Sequence, residues 1–144
     1  MRIYIAGPMM GVPNLNRSAF DDAEALLENL GHSVMRPCRL NEASMLWQLS
    51  AAKVGSLFWP ALTKDEDITP EYLREITSRD LSVLFTCDRI ALLPGWEDSP
   101  GASLERQTAH YVGIQSVELT SAQMEAGHAA RTSTHAAESG AGSP

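Results

Sequence analysis

Residues 87–113, CDRIALLPGWEDSPGASLERQTAHYVG, constrain the fold of this chain more than any other stretch. An apolar strand, Ile90–Leu93, runs into a loop rich in Pro and Gly. The loop carries Asp98, Ser99 and Gly101 and feeds a helix whose first turn holds Glu105. A strand, a small-residue loop and a helix start form a common site for a phosphate or sugar-phosphate. The helix N-terminus offers unpaired N–H groups, and its dipole favours an anion. A carboxylate so near such a site is not needed for folding, which makes Glu105 a candidate functional residue.

The remainder of the chain reads as a frame for this unit. Arg2–Ala6 is a β-branched and aromatic run bounded by Gly7 and Pro8, as expected of a strand buried on both faces. Gly7, Pro8, Gly11 and Pro13 then hold a loop through Asn16. The loop lacks the GxGxxG pattern of dinucleotide sites. Asn16 or Ser18 can cap the next helix, and Asp21, Asp22 and Glu24 suit its first turn. Phe20, Ala23, Leu27 and Leu30 recur at helical spacing, and Gly31 stands where a C′ glycine ends a helix. His32–Met35 reads as a second strand, stopped by Pro37.

Residues 38–63 carry weaker signals. Met45, Leu46, Leu49 and Ala52 suggest a helix, and Phe58-Trp59-Pro60 an apolar corner, which fits a flap or an oligomer contact equally. Thr69-Pro70-Glu71 is a strong helix start. Tyr72 or Leu73, Ile76, Leu81 and Leu84 supply its buried stripe. Asp80 lies four residues from both Ile76 and Leu84, so its carboxylate shares the apolar face. An acid there is expensive unless it is paired, hydrogen-bonded or opens into a site.

A helix over Ala102–Val112, stopped by Gly113, and a last strand over Ser116–Leu119 follow. Ser121–Pro144 shows no apolar periodicity and reads as a largely disordered tail, with at most a short helical start, after a domain spanning residues 1–120. The resulting order of strands and helices predicts an α/β fold, a Rossmann-like three-layer α/β/α sandwich with a mainly parallel sheet. The loops over 7–16 and 94–101 both leave strand carboxyl ends and open on one edge of that sheet.

A net charge of −7 argues against a reader of nucleic acid polymers, which shows a basic stripe. Cys38 and Cys87 lack metal-ligand spacing and read as reduced thiols, and His128 and His135 in the tail do not by spacing alone indicate a metal. The opening MRIYIAGPMMG has no long apolar region, and no run approaches the roughly 18 residues of a membrane span. The expectation is a cytoplasmic protein with no cofactor, metal or membrane partner.

YIAGPM at residues 4–9, the Asp80…Cys87-Asp88 spacing and Ser99-Pro100-Gly101-Ala102-Ser103-Leu104-Glu105 together resemble the nucleoside 2-deoxyribosyltransferase-like superfamily over residues 1–119. The match is closest to a small phage and bacterial branch with YIAGPM…G and LLPGWE…S.GA..E runs. The resemblance implies cleavage or transfer at an N-glycosidic bond, with Glu105 as the nucleophile attacking the anomeric carbon. It further implies that Asp80 contacts the base or assists its departure and that Tyr4 orients Glu105.

Six residues before Glu105, nucleoside transferases carry an aspartate on the sugar 5′-hydroxyl, whereas this chain has Ser99. Serine there resembles the deoxynucleoside 5′-monophosphate N-glycosidases. A hydroxyl donates to phosphate where a carboxylate repels it. The first loop reads Pro8-Met9-Met10, with Arg17 further on, where the phosphate-preferring enzymes place a serine and an arginine. Trp96 is unlike either class and suits base stacking or an apolar lid. Gly7, Pro8, Met9, Asp88, Gly95, Trp96, Asp98, Ser99 and Gly101 complete the expected substrate-binding set.

The implied partner is a small nucleoside or nucleotide. The resemblance also implies a homo-oligomer, with Phe58, Trp59 and the helix near Tyr111 as contacts. Two other readings stand beside it: a non-catalytic nucleotide-binding or sensing module, and a phosphoribohydrolase of the lysine-decarboxylase-like family, echoed by Pro94-Gly95 and Gly101…Glu105.

Overall fold

A computed structural model describes residues 1–9, 12–37 and 70–140. The elements run β1 (Arg2–Ala6), a 3-10 turn (Pro13–Asn16), α1 (Arg17–Asn29), β2 (Ser33–Met35), α2 (Pro70–Leu84), β3 (Arg89–Leu92), a second 3-10 turn (Trp96–Asp98), α3 (Pro100–Tyr111), β4 (Gln115–Glu118) and α4 (Ser121–Gly140). The strands form one sheet in the order β2-β1-β3-β4, with all three pairings parallel. Tyr4 sits between Met35 and Ile90, and Ala91 between Ile5 and Val117.

Parallel strands need crossovers, so helices cover both faces of the sheet. Alternation along the strands sorts the core accordingly. Ile3, Ile5, Ala91 and Leu93 meet Phe20, Ala23 and Leu27 of α1, with Met124 of α4 packed alongside. Tyr4, Ala6, Ile90 and Leu92 meet Leu84 of α2 and Ala102 and Ala109 of α3. The architecture is therefore the expected three-layer sandwich, with α1 and α4 on one face and α2 and α3 on the other. From the β1–β3 pair the chain winds one way to β2 and the other way to β4. The crevice beyond the carboxyl ends of β1 and β3 is thus the topological switch point, where open α/β sheets bind ligands.

Local chemistry accounts for the element ends. Gly31 and Gly113 follow α1 and α3 with φ of 89° and 85°, as C′ glycines do. The N–H groups of His32 and Ile114 reach back to the Leu27 and Ala109 carbonyls. The start of α1 differs from expectation. Asn16 is its N-cap, but in a left-handed conformation with no side-chain cap bond, and Asn14, Leu15 and Asn16 all have positive φ. Because α1 begins at Arg17, its acids fall beyond the first turn and act as pairing partners instead. Asp21 and Glu24 hold the buried Arg36 at 2.6 and 2.8 Å. Asp22 accepts from Arg131 at 2.8 Å and contacts His128 at 3.3 Å.

The expectation of a disordered tail over 121–144 is corrected for Ser121–Gly140, which form a helix packed against α1. The α1–α4 contact relies on small residues, which periodicity of large apolar residues does not reveal. A Cβ on Gly127 would lie 2.0 Å from the Asp22 carbonyl oxygen, so only glycine lets the two backbones approach this closely. The readings placed on 38–63, including Phe58 and Trp59, and on Thr69 lie outside the described residues.

Candidate active site

Three side chains singled out in the sequence converge on the α2–α3 face beneath the switch point. Tyr4 is wholly buried in β1, and its hydroxyl donates to Glu105 Oε1 at 2.8 Å across 101 residues of chain. Glu105 projects inward from the second turn of α3, not the first as expected, because the helix already begins at Pro100, and it is 8% exposed. Asp80, on the inner face of α2, is 7% exposed, and its Oδ1 is buried with no hydrogen-bond partner.

Two carboxyl groups in one apolar pocket resist ionisation. Burial pushes Glu105 up to about 8; the nearby Asp80 charge adds to this, and the Tyr4 hydrogen bond opposes it. Burial pushes Asp80 up to about 7, against the Arg79 guanidinium. The Tyr4 hydroxyl is itself driven well above its ordinary value by burial and by both carboxylates, so it remains a donor. Near neutral pH the pair retains a proton and titrates as a unit. Such a pair can present one carboxylate and one carboxylic acid to the same ligand.

The described parts of the two glycine-bearing loops meet at the carboxyl ends of β1 and β3. Gly7 follows β1 so close to β3 that a Cβ on it would lie 2.6 Å from Leu93 Cβ, which gives its glycine a packing reason. Pro8 and Gly95 are neighbours, since a Cβ on Gly95 would lie 3.6 Å from Pro8 Cγ. Gly95 has φ of 84° and turns β3 into the second loop. Ser99 caps α3, its Oγ accepting from the Ala102 N–H at 3.3 Å. That leaves the hydroxyl hydrogen free to donate outward. Gly101 has open space around its Cα, and Asp98 is exposed.

Several of the loop's backbone donors are already used within it. Trp96 N–H donates to Leu93 O, Asp98 N–H to Gly95 O and Ser99 N–H to Trp96 O. In the first turn of α3, Pro100 has no N–H, and the Ser103 N–H returns to Ser99 O. Among the described residues, the Gly101 N–H is the one left to a ligand in that turn.

Three expected members sit elsewhere or differently. Asp88 lies at the amino end of β3, the opposite end from the loops, where its carboxylate accepts from the Arg2 N–H at 2.8 Å. It joins the starts of β1 and β3 and is not brought to the site. Met9 packs against the core on the α1–α4 face. Trp96 packs against the α2–α3 core while the Arg106 guanidinium lies over its ring, 4.9 Å from the centroid. That covered face is closed to a base. Arg106 was missed in the sequence because an arginine on a solvated helix carries no local signal of what it stacks on.

Among the described residues no group of three or more His, Cys, Asp or Glu is placed to hold a metal ion, and no helix is long and apolar enough to cross a membrane. Cys87 is buried and free. Tyr111, a residue of the expected oligomer contact, is 91% exposed.

The parallel 2-1-3-4 sheet with these crossovers is a nucleoside 2-deoxyribosyltransferase-like fold. A solved structure of the 2-deoxyribosyltransferase from the psychrotolerant bacterium Bacillus psychrosaccharolyticus matches it with a TM-score of 0.51 at 21% identity, covering 82% of this chain and 71% of that one. The chain belongs to the family described as "Domain of unknown function (DUF4406)", whose model matches residues 1–54 and 55–118. No curated protein matches the sequence.

Proposed function

We propose that this protein cleaves or transfers at the N-glycosidic bond of a nucleoside or its 5′-monophosphate. The observation that carries the reading is the Tyr4–Glu105 hydrogen bond of 2.8 Å beside the buried Asp80. A tyrosine hydroxyl buried in a central strand and spent on a buried glutamate fixes that carboxylate in one orientation. The solved 2-deoxyribosyltransferase of like fold lends the reaction class.

In this mechanism an ionised Glu105 oxygen bonds to C1′ of the sugar while the C1′–N bond breaks. The bonding pair leaves with the base nitrogen, which takes a proton from Asp80. The Tyr4 hydroxyl donates to the Glu105 carboxylate and stabilises its charged form, opposing the burial that raises its pKa. Positive charge developing on the sugar is stabilised by the same carboxylate, as in retaining glycosidases. Water, or the nitrogen of a second base, then attacks C1′ and returns its proton to Asp80, and Glu105 is released. Water gives hydrolysis, and a second base gives transfer. Ser99 and the Gly101 N–H hold the 5′ end, with Gly7, Pro8 and Gly95 shaping the wall beside it.

The test is a panel of deoxy- and ribonucleosides and their 5′-monophosphates, scored for free base by chromatography. Base release abolished in Glu105→Ala is the expected result. Full activity in that variant would remove Glu105 as nucleophile. Tight nucleotide binding by calorimetry without any base release would favour a sensing module. Ser99→Asp is expected to shift preference from monophosphate toward nucleoside.

A further inference from the structure

We propose that Arg106 is a positioning residue: through Trp96 it clasps the Pro94–Ser99 loop to α3 and so sets where the 5′ end of the substrate is held relative to Glu105. The inference rests on the reading of Ser99 and Glu105 given above, but its structural half stands without it.

Trp96 is the largest side chain of this loop and begins its 3-10 turn. The indole packs against the α2–α3 core, and the Arg106 guanidinium lies over its ring, 4.9 Å from the centroid. Arg106 makes no ion pair with a carboxylate of the described residues, and its Nε is buried without an acceptor. Trp96 Nε1 is likewise buried without an acceptor. An arginine on a helix surface can turn its guanidinium to water, which satisfies every N–H at once. Here the head lies on an aromatic face instead, with one donor unsatisfied, which identifies the cation–π contact as what holds it there.

The consequences follow the chain. Trp96 O accepts from the Ser99 N–H, so the turn that begins with the clasped indole ends on the residue that caps α3. Gly95, with φ of 84°, precedes Trp96 and turns the chain out of β3. The indole is the loop's side-chain anchor on the core, and the Arg106 guanidinium closes over it. Arg106 adjoins Glu105 on the same helix, so the clasp ties the 5′-holding loop to the element that carries the nucleophile. Glu105, Asp80 and Tyr4 stand on two helices and a strand and keep their places without it. Loss of the clasp therefore weakens substrate holding more than it slows the chemical step.

The experiment compares Arg106→Ala and Arg106→Lys with the unaltered full chain by hydrogen exchange and by steady-state kinetics. Lysine retains a cation for the ring, whereas alanine retains none. In Arg106→Ala the amides of Trp96, Asp98 and Ser99 are expected to exchange roughly two- to fivefold faster, and Arg106→Lys to stay near the original rate. On the best substrate of the nucleoside and monophosphate panel, Arg106→Ala is expected to raise KM roughly three- to tenfold with kcat within about twofold, and lysine to recover most of that. Unchanged exchange and KM in Arg106→Ala overturn the clasp. A fall in kcat that lysine does not rescue also overturns it, since Arg106 would then act on the substrate itself. If the unaltered protein releases no base from any panel member, the glycosidic reading fails, and the exchange comparison alone decides the clasp.

Discussion

Replacing Glu105 with glutamine keeps the side chain's shape and leaves an oxygen to accept from Tyr4, but removes a charge from a pocket that disfavours it. The unaltered glutamate has its pKa raised from 4.5 to about 8. Below about pH 4.5 it is protonated in both the folded and unfolded chain and costs nothing. As the pH rises toward 8, the unfolded chain loses the proton while the fold retains it, so stability falls. Full ionisation of such a group costs the fold about 5 kcal/mol, an upper figure because the neighbouring Asp80 shares the same protons. Asp80, raised from 3.8 to about 7, adds a penalty of the same sign. Glu105→Gln is therefore expected to match the original protein to within about 1 kcal/mol at pH 5 and to exceed it by about 2–4 kcal/mol at pH 8.5. Urea unfolding at the two pH values measures this directly, and base release reports the loss of activity that should accompany it. A variant equally or less stable than the original at pH 8.5 would show that Glu105 is not held against its charge, and the account of the pocket would fall.

Tyr4→Phe removes the donor to Glu105 without opening a cavity. It should cost about 1 kcal/mol of stability by urea unfolding and move the acidic limb of the pH–rate profile upward, because the lost bond had favoured the carboxylate. Gly127→Ala drives a methyl group into the Asp22 carbonyl and should destabilise by about 2–3 kcal/mol, with faster hydrogen exchange across α4 and little change over α3. An alanine tolerated there would refute the close α1–α4 packing. Arg36→Met takes from Asp21 and the buried Glu24 the cation they share and should cost about 3–5 kcal/mol by urea unfolding at pH 7. A cost below about 1 kcal/mol would show that the buried ion pair does not hold the end of β2 to α1.

Much of the frame was legible because it depends on short-range chemistry. The run Arg2–Ala6, the stops at Gly31 and Gly113 and the inner face carrying Ile76, Asp80 and Leu84 all came from local spacing, and the structure reproduces them. The α4 helix was not legible in the same way. Its contact with α1 uses Gly127 and polar side chains that meet Asp22, not a stripe of large apolar residues. Asp21, Asp22 and Glu24 of α1 were read through the helix dipole, yet each found a partner from elsewhere in the chain. Asp88 was placed with the site by its neighbours in sequence, whereas strand direction carries it to the far end of the sheet.

The candidate site divides along the same line. The amino-acid sequence by itself determined the strand–loop–helix unit around Ser99 and Glu105, because caps, glycines and periodicity act within a few residues. It also marked Asp80 as an acid on an apolar face. The resemblance pointed to Tyr4 as the residue that orients Glu105, but only the tertiary structure set the 2.8 Å hydrogen bond between them, 101 residues apart in sequence, and laid Arg106 on Trp96. Those contacts depend on parallel pairing and on the depth at which α3 packs against the sheet. Burial and charge proximity, which raise the pKa values of Glu105 and Asp80, arise only when distant segments close over the same pocket.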